Sequence, residues 1–294
     1  MDFTVSEKMQ TIVGMIDEFV AKELIPLEPV FLRGDMTTLE KEIKDKQRLV
    51  KQMELWAPNH PVKYGGMGLD LMEHALVSEA VGRTPLGHYV FGCQAPDAGN
   101  AEIMHLHGTS EQKSQYLKPL IQGDIRSCFS MTEVELPGSN PLMMDTTAVK
   151  DGDDYVINGQ KWYTTASDGA EFAIVMAVTN PDAPPYLQAS MIIVPTDTPG
   201  FNLVRNIPVM GHRGTDYASH GEILYRNCRV PRANLLGPEG HGFVIAHGVA
   251  AKFDDDQRPG EALQVGQGLG EGAGGGDPIA VHVLFLAAFS QAFI

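Results

Sequence analysis

The stretch TTAVKDGDDYVINGQKWYTT, residues 146–165, decides the fold, because apolar and polar residues alternate along it with a period of two. Two turn signals, Asp151-Gly152 and Asn158-Gly159, interrupt the alternation, which predicts adjacent β-hairpins. Working outward, FAIVMAV (172–178), SMIIVP (190–195), FNLVR (201–205) and EILYRNCRVP (222–231) read as further strands. Many short strands joined by Gly/Pro turns predict a small antiparallel β-barrel or sandwich over residues 126–240.

The period changes on the N-terminal side. Val5, Met9, Ile12, Val13, Ile16, Phe19, Val20 and Leu24 recur at spacings of three and four, the apolar face of a helix. Pro26 and Pro29 are expected to end it. Thr37 with Glu40, Asp70 with Glu73 and Thr109 with Gln112 have capping-box spacing and open further helices. Residues 1–125 therefore form an all-helical domain, and the chain is of the α+β class. From Ala246 to residue 294 neither period survives. GQGLGEGAGGG opposes helix and strand alike, so an irregular Gly-rich tail is expected there.

Composition narrows the function. The chain has 294 residues, 43% of them apolar, and a formal charge of −15. That charge opposes a nucleic-acid or anionic-membrane partner, though not a small anion held by local donors. Cys93, Cys128 and Cys228 form no CxxC pair, which points to a reducing compartment without a disulfide framework or zinc site. MDFTVSEKMQ has no basic segment followed by an apolar run, so a cytoplasmic location is expected. IAVHVLFLAAFSQAFI, Ile279–Ile294, is shorter than a membrane span needs. His105 and His107 stand two apart in a helical segment and read as structural. Glu133 and Glu135 read as a solvated loop.

Two stretches carry chemistry. FSMTEVELPGSN (129–140) offers backbone donors, the hydroxyls of Thr132 and Ser139, and Gly138, which lets a ligand approach closely. NGQKWYTTAS (158–167) places Trp162 and Tyr163 beside the hydroxyls of Thr164 and Thr165. An aromatic face with hydroxyl and amide donors suits a flat heterocycle such as a flavin; a Trp and Tyr packed as ordinary core is the alternative.

The order of FSMTE…GS, DGDDYVINGQKWYTT, VPTDTPG and RVPRANLLGPEGHGF resembles the acyl-CoA dehydrogenase family. PVKYGGMGLD and GTSEQKSQYLKPLIQGDI resemble that family's N-terminal helical domain, so the resemblance runs from about residue 5 to 245. HGEILYRNCRVP, with His220, is nearest the branch of longer multidomain relatives. The resemblance implies an FAD cofactor between the β-domain and a C-terminal helical bundle. Phe129, Met131 and Thr132 would line the flavin. Ser139 would meet the flavin phosphates or an acyl-CoA substrate. Tyr163 stands where a Trp is usual, and Thr165 where a hydroxyl bonds the N5 edge. Val134 replaces a usual Pro, and Pro137, which lacks an N–H, a small residue.

The implied reaction is α,β-dehydrogenation of an acyl-CoA thioester, with an electron-accepting flavoprotein as partner and a homo-oligomer as the assembly. The family's base is a Glu in the C-terminal bundle. Glu261 and Glu271 lack that helical context, so neither is assigned the role. The loss of period at Ala246 is read as a truncation or shifted frame, with the C-terminal domain missing and assembly weakened. A non-enzymatic binding module of the same fold and an acyl-CoA oxidase are the alternatives.

Overall fold

The computed structural model describes residues 4–33, 36–140 and 142–246. The predicted tail beyond Ala246, with Glu261, Glu271 and the apolar terminus, lies outside the described residues.

The helical domain contains α1 (Glu7–Phe19), α2 (Glu28–Phe31), α3 (Met36–Gln52), α4 (Leu71–Val81), α5 (Gly87–Val90), α6 (Asp97–His107), α7 (Ser110–Gln112) and α8 (Lys118–Gln122). Ser6 caps α1, its side chain accepting from the Met9 N–H, and Met9, Ile16 and Phe19 are buried on one face. Pro26 and Pro29 do not stop the chain from turning helically. Each sits in the first turn of a new short helix, where a missing N–H costs nothing. Asp70–Glu73 and Thr109–Gln112 both form complete capping boxes, on α4 and α7. α3 begins at Met36, one residue before the Thr37 expected to open it.

The sheet comprises β1 (Ser127–Ser130), β2 (Thr147–Asp151), β3 (Asp154–Thr165), β4 (Phe172–Val178), β5 (Ala189–Pro195), β6 (Phe201–Asn206), β7 (His220–Pro231) and β8 (Leu235–Leu236). Its order is β6-β7-β3-β2-β4-β5-β8, with β1 also beside β4. The end strands β6 and β8 do not pair with each other, so the expected barrel is not closed. Nor is the sheet wholly antiparallel: β1 and β2 both run parallel to β4. The β2–β3 hairpin intervenes between β1 and β4 and supplies the long connection a parallel pair requires.

Only the first of the two predicted turns is one. β2 and β3 join through Gly152, at φ 62°, with Asp151 opposite Asp154. Asn158-Gly159 lies inside β3, at an irregularity between Ile157 and Gly159. Asn158 Oδ1 there accepts the Asn227 N–H of β7 at 2.7 Å. A Cβ on Gly159 would lie 2.2 Å from Thr146 Oγ1, so the glycine is required by close approach rather than by a hairpin.

β4 and β5 are buried on both faces. Ala173, Val175, Ala177, Ile192 and Val194 pack on one face with Tyr155, Ile157 and Tyr225. Phe172, Ile174, Met176, Met191 and Ile193 point the other way, into the core of the helical domain. Polar links fix the junction. The Asp97 carboxylate on α6 accepts both the N–H and the hydroxyl of Ser127, at 2.7 and 2.6 Å. Gln112 donates to the carbonyls of Ala233 and Leu235. The start of β1 is thereby seated on the helices, and its far end leads into the candidate site.

Candidate functional site

Where β3 passes β7, Lys161 pairs with Ile223 and Thr164 with Gly221, so Trp162 and Tyr163 together oppose Glu222. This bulge forces Tyr163 to φ 49°, a conformation unusual for an aromatic residue, and turns its ring outward to 40% exposure. The ring lies edge-on to Trp162, with centroids 5.0 Å apart. Thr165 is half-buried, its hydroxyl 3.0 Å from His220 Nδ1. Burial pushes the His220 pKa down, which favours the neutral ring. The neutral tautomer then decides which of the two atoms donates.

The stretch after β1 is bound to this bulge from the side. Trp162 donates its N–H to the Thr132 carbonyl at 3.0 Å, and the Thr132 hydroxyl donates to the Trp162 carbonyl at 2.7 Å. Met131 and Thr132 are half-buried and line a shallow concavity with Leu136, Pro137 and Gly138. A Cβ on Gly138 would meet Thr132 Cγ2 at 3.2 Å, so glycine allows this part of the loop to lie against Thr132. Ser139 is exposed on the same loop.

The structure thus brings Met131, Thr132, Tyr163 and Thr165 to one edge of the sheet, with Gly138 against Thr132. Two other predicted contacts face inward. Phe129 packs in the core shared with the helices. Thr164 is buried, its hydroxyl 3.3 Å from Ser130 Oγ, which also accepts the Tyr225 phenol at 3.0 Å. The side chains of Phe129 and Thr164 therefore support the edge from behind.

Glu133 is not a solvated loop residue, as its sequence context suggested. It is 6% exposed and pairs with Lys161, which is fully buried, at 2.8 Å. Lys161 also donates to the Met131 carbonyl at 2.7 Å. The Glu133 carboxylate accepts the N–H groups of Asp145 and Thr146 at 2.7 and 2.9 Å. Burial alone would raise the Glu133 pKa, but Lys161 and these hydrogen bonds hold it below the usual range. Burial pushes Lys161 down to about 8 against the attraction of Glu133.

Sequence reading overlooked this pair, yet a signal was present. Tyr155 and Ile157 point inward on β3, and the same period carries Lys161 inward, where an ammonium needs a partner. Elsewhere, the His105 ring packs edge-on to Tyr64. No group of metal-ligating side chains and no helix long and apolar enough to cross a membrane occurs among the described residues.

The chain thus joins an all-helical domain to a sheet-rich one, in that order. The acyl-CoA dehydrogenase N-terminal domain matches residues 6–124 and the middle domain residues 128–228; the chain belongs to the acyl-CoA dehydrogenase family. It is 48% identical over 182 residues to FadE2 of Mycobacterium tuberculosis, named a probable acyl-CoA dehydrogenase, covering 61% of this chain and 44% of that one. A solved Mycobacterium abscessus protein described as a putative acyl-CoA dehydrogenase superposes with TM-score 0.76 at 29% identity, covering 99% of this chain and 80% of that one. The structure of PigA with FAD and proline superposes with TM-score 0.67 at 25% identity, covering 85% and 63%. The chain spans less than half the length of the curated relatives it matches first.

Proposed function

We propose that the chain binds FAD along the edge formed by Met131–Thr132 and Tyr163–Thr165, as the cofactor-holding part of a site for α,β-dehydrogenation of an acyl-CoA thioester. The observation that carries this reading is the reciprocal pair of hydrogen bonds between Thr132 and Trp162, which fixes the two predicted segments side by side. The donor set fits a flat heterocycle. Thr132 spends its proton on the Trp162 carbonyl, so its oxygen remains as an acceptor for a ring N–H. Thr165 offers either a proton or a lone pair, according to the tautomer of His220. Tyr163 supplies an exposed aromatic face, and Ser139 a hydroxyl for a phosphate of the cofactor or of acyl-CoA. Phe129 and Thr164 hold this surface from the interior. When bound, FAD supplies the acceptor for the hydride leaving the β-carbon. An electron-accepting flavoprotein and a second copy of the chain are the partners this reading implies.

One observation favours a second reading. Glu133, which directly follows the predicted contacts Met131 and Thr132, is committed to Lys161 and two N–H groups and is not available to take an α-proton. The described residues would then bind cofactor without turnover. The purified chain, mixed with FAD and desalted, separates these cases by its absorbance. Retained flavin colour that bleaches anaerobically on adding acyl-CoA supports the dehydrogenase, and colour that does not bleach supports the binding module. Peroxide release in air marks an oxidase. Colourless protein sinks the flavin reading. Thr165→Val should weaken FAD binding by about tenfold, the effect of one lost hydrogen bond.

A further inference from the structure

We infer that Glu133 and Lys161 are positioning residues that close the loop between β1 and β2 at its neck and hold it against the bulged strand. Glu133 stands at the beginning of that loop, and Asp145 and Thr146 stand at its end. One carboxylate binds all three positions together: Oε2 accepts the Asp145 N–H at 2.7 Å and Oε1 the Thr146 N–H at 2.9 Å. Lys161 then fastens the neck to β3, donating to Glu133 Oε1 at 2.8 Å and to the Met131 carbonyl at 2.7 Å.

The arrangement specifies more than charge neutralisation. An ion pair kept for stability needs only one contact between its partners. Here the carboxylate spans both strands of the neck, and the ammonium fixes the orientation of the Met131 peptide. The Thr132–Trp162 hydrogen bonds continue the same seam by one residue on each strand. Gly138 and Ser139 thus follow a fixed base. Its effect on a ligand rests on the FAD reading above, whereas the clasp itself does not.

Glutamine at position 133 should break the clasp without changing its size. Its amide NH₂ would face a backbone N–H or the Lys161 ammonium, donor against donor.

Amide hydrogen exchange on the wild-type apo protein tests the clasp and needs no variant. The Asp145 and Thr146 amides should exchange at least about tenfold more slowly than those of Glu135 and Leu136. Exchange of Asp145 and Thr146 at the same rate as Glu135 and Leu136 would overturn the clasp. In Glu133→Gln and Lys161→Met, protection at Asp145 and Thr146 should be lost, whereas Ile174 on β4, though lowered by the global destabilisation, should remain protected. FAD affinity should drop about tenfold to a hundredfold. Variants that melt earlier but keep both the local protection and the FAD affinity would reduce the pair to a stabilising contact and overturn the positioning role. Wild-type protein that takes up no FAD would remove the functional reading and the ligand-positioning role with it. Apo exchange would still decide the clasp.

Discussion

The two domains bury ionisable groups in opposite ways. In the helical domain His60 and His74 are each pushed down to about 4, His60 by burial and then by His74 and His105, His74 by burial and then by His88. They sit in the fold as neutral rings. The β-domain instead buries a carboxylate and an ammonium as a charged pair, each hydrogen-bonded further to the backbone. A neutral imidazole tolerates burial at the expense of its basicity, whereas a charge tolerates it only with a partner in fixed geometry. The helical domain should therefore be vulnerable to protons, and the sheet to removal of one partner.

The largest effect is expected from breaking the sheet's pair on one side. Lys161→Met leaves Glu133 buried without its cation, and loss of one partner of a buried pair costs about 3–5 kcal/mol. Urea denaturation of Lys161→Met and of the double variant Glu133→Leu/Lys161→Met checks this. The double variant should recover much of the stability, because two apolar side chains leave no buried charge behind. A single variant as stable as wild type would erase the contrast between the domains.

The same contrast explains what was readable in the sequence. Local signals were legible: the Asp70 and Thr109 capping boxes, the apolar face of α1 and the Gly152 turn all depend on neighbours within a few residues. Asn158-Gly159 has the composition of a hairpin turn. What decides its conformation is the approach of Thr146 and the N–H of Asn227, neither visible from the dipeptide. Pro26 and Pro29 signalled a stop, but the chain rebuilt a short helical turn at each. Among the proposed contacts, the motif order named Thr164 alongside Thr132, Tyr163 and Thr165, but the inward turn of Thr164 came from a bulge the alternation does not encode. Glu133 was misread because its partner lies 28 residues away, across the sheet.

The histidines give the next largest effect. Each has a folded pKa near 4, below its unfolded value near 6.5, so above pH 6.5 both states are neutral and stability is complete. As pH falls through that window the unfolded chain takes up protons first, and stability declines until about pH 4. For His60 the loss is on the order of 3 kcal/mol at most. Asp97 opposes it. Burial raises its carboxyl to about 6, against the bonds from Ser127, so the folded state gains a proton in part of the same window. Denaturation of wild type and His60→Gln between pH 7 and 4 should show a shallower decline in the variant. Equal slopes would mean that His60 is protonated in the fold and that the helical domain does not bury it as a neutral ring.

The smallest effect sharpens the comparison by removing a local feature from the helical domain without touching a buried ionisable group. Asp70 is exposed, and its carboxylate accepts the Glu73 N–H at 2.8 Å while Glu73 returns a bond to the Asp70 N–H. Asp70→Ala leaves the first turn of α4 with unpaired N–H groups that water only partly satisfies, a loss of about 1 kcal/mol. The loss should be nearly constant between pH 7 and 5.5, while the histidine effect grows over that interval. Asp70→Asn keeps an acceptor oxygen at the cap and should restore most of the difference. If Asp70→Ala instead steepened the decline with acid, α4 would be loosening around His74, and capping and burial in this domain would be one coupled effect rather than two.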